Sequence, residues 1–115
     1  MIKKVNLIDR VKLSIKLNKL VKVKYTQSKI KLYIGEDRVT IKDKRCIIRY
    51  NSMNLLQIRY LVKLLLGLNI KGLSSSKSRL DTLGSDVKYI GDYYTYVLDR
   101  YKGSYRLIIS DCRKY

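Results

Sequence analysis

From Val11 to Tyr50 apolar and polar residues alternate almost one for one. Val11, Leu13, Ile15 and Leu17 alternate with Lys12, Ser14, Lys16 and Asn18. A period of two sends successive side chains to opposite faces, so this stretch reads as a half-buried strand with Lys on the wet side. Asn18-Lys19 reads as a turn. Val21, Val23 and Tyr25 around Lys22 and Lys24 make a second strand, and Ile30, Leu32 and Ile34 around Lys31 and Tyr33 a third. Gly35-Glu36-Asp37 breaks the pattern. Val39 and Ile41 form a short fourth strand, Asp43-Lys44 a tight connection, and Cys46 to Tyr50 a fifth. Together these predict an antiparallel sheet with one basic face and one apolar face.

The period then changes. Leu55, Ile58, Leu61, Val62, Leu65 and Leu66 recur at three- and four-residue spacing, which predicts an amphipathic helix. Asn51 or Ser52 serves as its cap, and Gly67 as its stop. After Gly72 the composition shifts, and Ser74 to Ser78 reads as a polar loop. Leu80 to Leu83 is a candidate strand. Val87–Ile90 and Tyr93–Leu98 flank Gly91-Asp92 as a hairpin, Asp99 to Gly103 turns, and Ser104 to Ile109 is the last strand. The fold class is α+β: an antiparallel β-sheet covered by one helix, followed by a second, smaller, mostly-β region. The division falls at residues 1–73 and 74–115.

Charge sharpens this picture. The 115 residues carry 26 Lys and Arg against 9 Asp and Glu, a formal net charge of +17. Residues 1–31 hold ten of the cations and one acid, Asp9. Such a surface repels itself unless a partner neutralises it, and polyanionic nucleic acid is the usual partner. A membrane partner is not expected. The longest run free of polar side chains, Leu64 to Leu68, is far short of the roughly 20 residues that span a bilayer. The N-terminal segment has neither the apolar core of a signal peptide nor the Arg- and Ser-rich amphipathic character of a transit peptide.

The missing residues exclude much chemistry. There is no His, Pro, Trp, Phe or Ala. His-based triads and His-ligated metals are therefore ruled out. Cys46 and Cys112 cannot build a four-thiolate site and read as free thiols, Cys46 as a small core residue. Asp81 with Asp86, or Asp92 with Asp99, read as turn formers or partners for Lys before they read as metal ligands. No glycine-rich phosphate loop or zinc spacing occurs. The chain is expected not to be an enzyme, and no cofactor, metal or small-molecule substrate is expected. Tyr is the only aromatic type, and six of eleven lie between Tyr89 and Tyr105. They read mainly as core and cross-strand residues standing in for Phe and Trp, with base stacking as the alternative.

In order, these features resemble the large-subunit ribosomal protein six family of bacterial and organellar type. Ile8-Asp9-Arg10-Val11-Lys12-Leu13 resembles that family's opening strand, and Leu20-Val21-Lys22-Val23-Lys24 its next strand, followed here by Thr26-Gln27-Ser28 in place of a Gly-rich turn. The helix beginning near Asn51, with Arg59 and then Gly72-Leu73, is similar to the first-domain helix and its exit. Leu80-Asp81-Thr82-Leu83-Gly84 with Val87-Lys88 resembles the entry to the second domain. The resemblance implies tandem small sheet-and-helix domains on the large-subunit surface. The second domain would be truncated here and completed by neighbouring proteins or RNA. It implies a structural constituent of the ribosome with rRNA and neighbouring ribosomal proteins as partners, in a mitochondrial ribosome, or alternatively a cytoplasmic one. Binding should read phosphates and RNA shape. Loop and terminal cations are the candidate rRNA contacts: Lys3, Lys4, Arg10, Lys19, Lys77, Arg79, Lys88, Lys102, Arg113 and Lys114. Another small basic ribosomal protein, or a free-standing RNA- or DNA-binding regulator, is the alternative function.

Overall fold

The computed structural model describes residues 5–113. The first element is a helix, α1 (Leu7–Leu17), and not the strand that the alternation from Val11 to Leu17 predicts. Asn6 caps it by accepting from the Asp9 backbone N–H at 2.9 Å. Asp9, Leu13 and Leu17, four residues apart, form its buried side. Val11 and Ile15 point to solvent, 47% and 76% exposed. A two-residue alternation contains a four-residue repeat within it, and here the cap and that repeat decide the outcome. Asn18, left-handed at φ 53°, closes the helix by donating its backbone N–H to Ser14 and Ile15 carbonyls.

Four strands follow as a meander: β1 (Val21–Tyr25), β2 (Ile30–Ile34), β3 (Asp37–Lys42) and β4 (Arg45–Tyr50). These match the sequence reading. Helix α2 (Leu55–Leu66) also lies where its stripe predicts and ends at Gly67. Its cap is Asn54, in place of the expected Asn51 or Ser52, in a reciprocal box with Gln57. Asn51 and Ser52 have another role: their backbone N–H groups, and that of Met53, donate to the buried Asp37 carboxylate.

The polar stretch read as a loop, and the candidate strand at Leu80–Leu83, are one helix, α3 (Leu73–Leu83). Leu73, Ser76 and Leu80 make its buried side. Ser76 fits there because its hydroxyl hydrogen-bonds the Tyr96 hydroxyl at 2.8 Å. Three strands complete the chain: β5 (Val87–Ile90), β6 (Tyr94–Tyr101) and β7 (Ser104–Asp111). β6 runs through Asp99–Tyr101, expected to be a turn, because the turn is only Lys102-Gly103. Both of those residues have positive φ, 50° and 79°, as a two-residue hairpin of matching twist requires.

All seven strands form one antiparallel sheet of order β1-β2-β3-β4-β7-β6-β5. β4 and β7 pair from Arg45↔Ser110 to Tyr50↔Tyr105. Strands from both sides of the 73/74 division therefore share one sheet, and the division itself falls in the first turn of α3. Of the stretches that carry the family resemblance, Ile8–Leu13 and Leu80–Leu83 are helical here. Leu13 and Leu17 of α1, the stripe of α2, and Leu73 and Leu80 of α3 join one core with the inward side chains of the sheet. In that core Tyr94 and Tyr96 stand where other proteins place Phe, with Tyr89 packed beside them. The helices cover one face of the sheet and leave the other open.

Candidate nucleic-acid interface

Pairing register assigns each strand residue to a face, because directly opposed residues point the same way. Leu32, Val39, Ile48, Leu107 and Leu98 are opposed in turn across five strands and face the core. Their chain neighbours form the open face in transverse rows. One row runs Lys22, Tyr33, Arg38, Arg49, Arg106, Asp99 from β1 to β6. The next runs Lys24, Lys31, Thr40, Ile47, Ile108, Val97, Lys88 from β1 to β5. A third includes Lys42, Arg45, Ser110 and Thr95. Among the described strand residues this face sets nine Lys and Arg against one carboxylate, Asp99.

That carboxylate is already taken. Arg106 grips Asp99 through two nitrogens, at 3.0 and 2.6 Å, and this bonding raises the guanidinium's pKa above its ordinary value. Two tyrosines lie among the cations. Arg38 lies 4.9 Å over the Tyr33 ring, and Arg106 and Arg49 lie 4.2 and 5.0 Å over Tyr101. Ile47, Val97 and Ile108 give the middle of the face a half-buried apolar floor. Beside it, a depression of about 580 Å³ is bordered by Lys29, Thr40, Lys42, Asp43, Arg45 and Ile47. At a strand spacing of about 4.8 Å the seven strands span roughly 29 Å, room for several nucleotides.

No known family, curated protein or solved structure matches this chain. Its own geometry must carry the reading.

The candidate contacts read from sequence are scattered. Lys88 lies on the open face, on β5, and Lys102 sits 5.3 Å over the Tyr101 ring at the β6–β7 turn. Arg10 on α1 and Arg79 on α3 are exposed on the covering helices. Three others are engaged within the protein. Lys19 bonds Ser52 and lies 3.8 Å from Asp37. Lys77 pairs with Asp81 at 2.9 Å. Arg113 pairs with Asp111 and donates to the Leu66 carbonyl at the end of α2. Lys3, Lys4 and Lys114 lie outside the described residues. The cations that the fold gathers are in the strands: Lys22, Lys24, Lys31, Arg38, Lys42, Arg45, Arg49 and Arg106. Their signal was in the sequence, as the polar half of each alternation.

Among the described residues no group of three or more Cys, Asp or Glu side chains could hold a metal ion, and no helix is long and apolar enough to cross a membrane. Asp81 and Asp99 are partners of Lys77 and Arg106, as expected of local charge partners. Asp81 also accepts from the Tyr105 hydroxyl at 2.7 Å, which with Lys77 lowers its pKa.

Proposed function

We propose that this protein binds RNA through the open face of its sheet, contacting mainly phosphates. The observation that carries the reading is the row-by-row assembly of nine Lys and Arg against a single carboxylate on the open sheet face, with Tyr33 and Tyr101 among them. Such a face neutralises a polyanion and offers rings for unstacked bases. The more specific form is a structural constituent of a large ribosomal subunit, mitochondrial by preference, with rRNA and neighbouring ribosomal proteins as partners. It draws its support from the sequence resemblance over Leu20–Lys24 and Asn51–Leu73. A free-standing RNA- or DNA-binding regulator is the second reading. The single continuous core, which uses strands from both halves of the chain, favours it by suiting a protein that folds alone.

Fluorescence anisotropy with a labelled single-stranded RNA of about 20 nucleotides tests the RNA reading. Engagement of five phosphates gives a log–log salt slope near −3.5, or roughly a hundredfold loss between 50 and 200 mM salt. Salt-independent affinity, or no binding at 50 mM salt, defeats it. A sucrose gradient of a native lysate separates the two forms. Migration with a large RNA-containing particle supports the ribosomal constituent, and migration as a small free species at low salt supports the regulator.

A further inference from the structure

Three arginines stand side by side on the open face. Arg38 opposes Arg49, and Arg49 opposes Arg106, on the adjacent strands β3, β4 and β7. Like charges directly opposed across strands destabilise a sheet. The two outer arginines are compensated. Arg38 donates to the carbonyls of Gly35 and Asp37 at 2.9 and 2.8 Å and stacks on Tyr33. Arg106 is fixed by Asp99 and stacks on Tyr101.

Arg49 between them has no hydrogen-bonded partner, and it shares the Tyr101 ring with Arg106. Among the described residues its guanidinium meets no acceptor, its Nε is buried without a hydrogen-bond partner, and the ring it lies over is Tyr101 at 5.0 Å. A half-buried cation flanked by two others, with no carboxylate beside it, calls for an anion. A guanidinium presents its donors in a planar fork that fits two oxygens of a phosphate. The flanking arginines are held by protein groups before any ligand arrives, so the slot is preformed.

We infer that Arg38, Arg49 and Arg106 form a phosphodiester-binding slot, with Arg49 the arginine that takes the phosphate fork. A single strand of RNA then crosses the strands along this row, with Tyr33 against Arg38 and Tyr101 against Arg49 and Arg106. This rests on the nucleic-acid reading of the open face, and it adds a place and an orientation to it.

The test uses the full chain, the 20-nucleotide RNA and inorganic phosphate. Arg49→Gln should weaken RNA binding at least tenfold at 0.1 M salt and make the salt slope shallower by about one ion. It should also raise the thermal midpoint of the free protein, because it removes a like-charge clash. Arg49→Lys keeps the charge without the fork and should recover little of the affinity. Phosphate, compared with chloride at matched ionic strength, should stabilise the natural protein and not Arg49→Gln. Lys63→Gln, on the covering helix α2, should match the natural protein throughout. Unchanged affinity and slope in Arg49→Gln, while Lys24→Gln/Lys31→Gln still weakens binding, overturns the slot and leaves the general reading intact. Full affinity in Arg49→Lys overturns the fork. A lowered thermal midpoint in both Arg49 variants assigns Arg49 to the fold and also overturns the inference. Absence of RNA binding by the natural protein defeats both.

Discussion

Asp37 ties the start of β3 to the segment between β4 and α2. It is 1% exposed at the start of β3. Its carboxylate accepts from the backbone N–H groups of Asn51, Ser52 and Met53 and from the Ser52 hydroxyl, with Lys19 3.8 Å away. It thereby fixes the passage from β4 into α2. Asp37→Ala strands several donors at once and should cost about 3 kcal/mol in urea unfolding, with an unchanged denaturant slope. Two other buried groups set the alkaline limit. Burial pushes the Cys46 thiol from 9.0 up to about 12 and the Tyr50 hydroxyl from 10.0 up to about 12. Both hold their protons in the folded state at pH values where the unfolded chain has released them. The contribution of these two groups should therefore be level below about pH 9 and fall above it, by up to about 1.4 kcal/mol per pH unit for each group until about pH 12. At pH 8 iodoacetamide should label the exposed Cys112 alone, giving one adduct by mass spectrometry; rapid double labelling would contradict the burial of Cys46.

At the scale of elements, α1 offers a clean discrimination between helix and strand. In a strand Leu13 and Ile15 would share the inner face; in α1 Leu13 is fully buried and Ile15 is 76% exposed. Leu13→Ala should cost about 3 kcal/mol and Ile15→Ala less than about 0.5, measured by thermal unfolding. Equal costs would argue for the strand. The seven strands from β1 to β7 and the helix α2 were legible at their centres, because alternation and the Leu55–Leu66 stripe each fit one period only. α1 was not, because its apolar residues satisfy both periods and its cap, Asn6, precedes the repeat. α3 was not either, because its inner face spends a position on Ser76, whose partner Tyr96 lies twenty residues away. The candidate site followed the same rule. The basic face was visible as a pattern, but which cations it gathers depended on strand pairing, and loop and terminal positions such as Lys19 and Arg113 proved to be occupied by Asp37 and Asp111.

For the whole molecule, +17 on 115 residues is a standing repulsion that salt screens. The free protein should gain about 1 kcal/mol between 20 and 200 mM sodium chloride, roughly 4 °C in thermal midpoint. A midpoint that falls with salt would mean that the ion pairs of Asp37, Asp99 and Asp111 outweigh the repulsion. RNA affinity should move the opposite way over the same range, so salt separates folding from binding in one titration.

The position of β7 adds a requirement in time. It is the final strand of the described chain, yet it lies between β4 and β6, and its pairing with β4 joins residues more than fifty positions apart. Until it docks, β4 and β6 are two raw edges, and a seam of such long sequence separation closes late. Arg49 belongs to one side of that seam and Arg106 to the other. The phosphate slot comes into being only when the seam shuts, so an unfinished molecule cannot offer it, and capture of RNA there certifies that folding is complete.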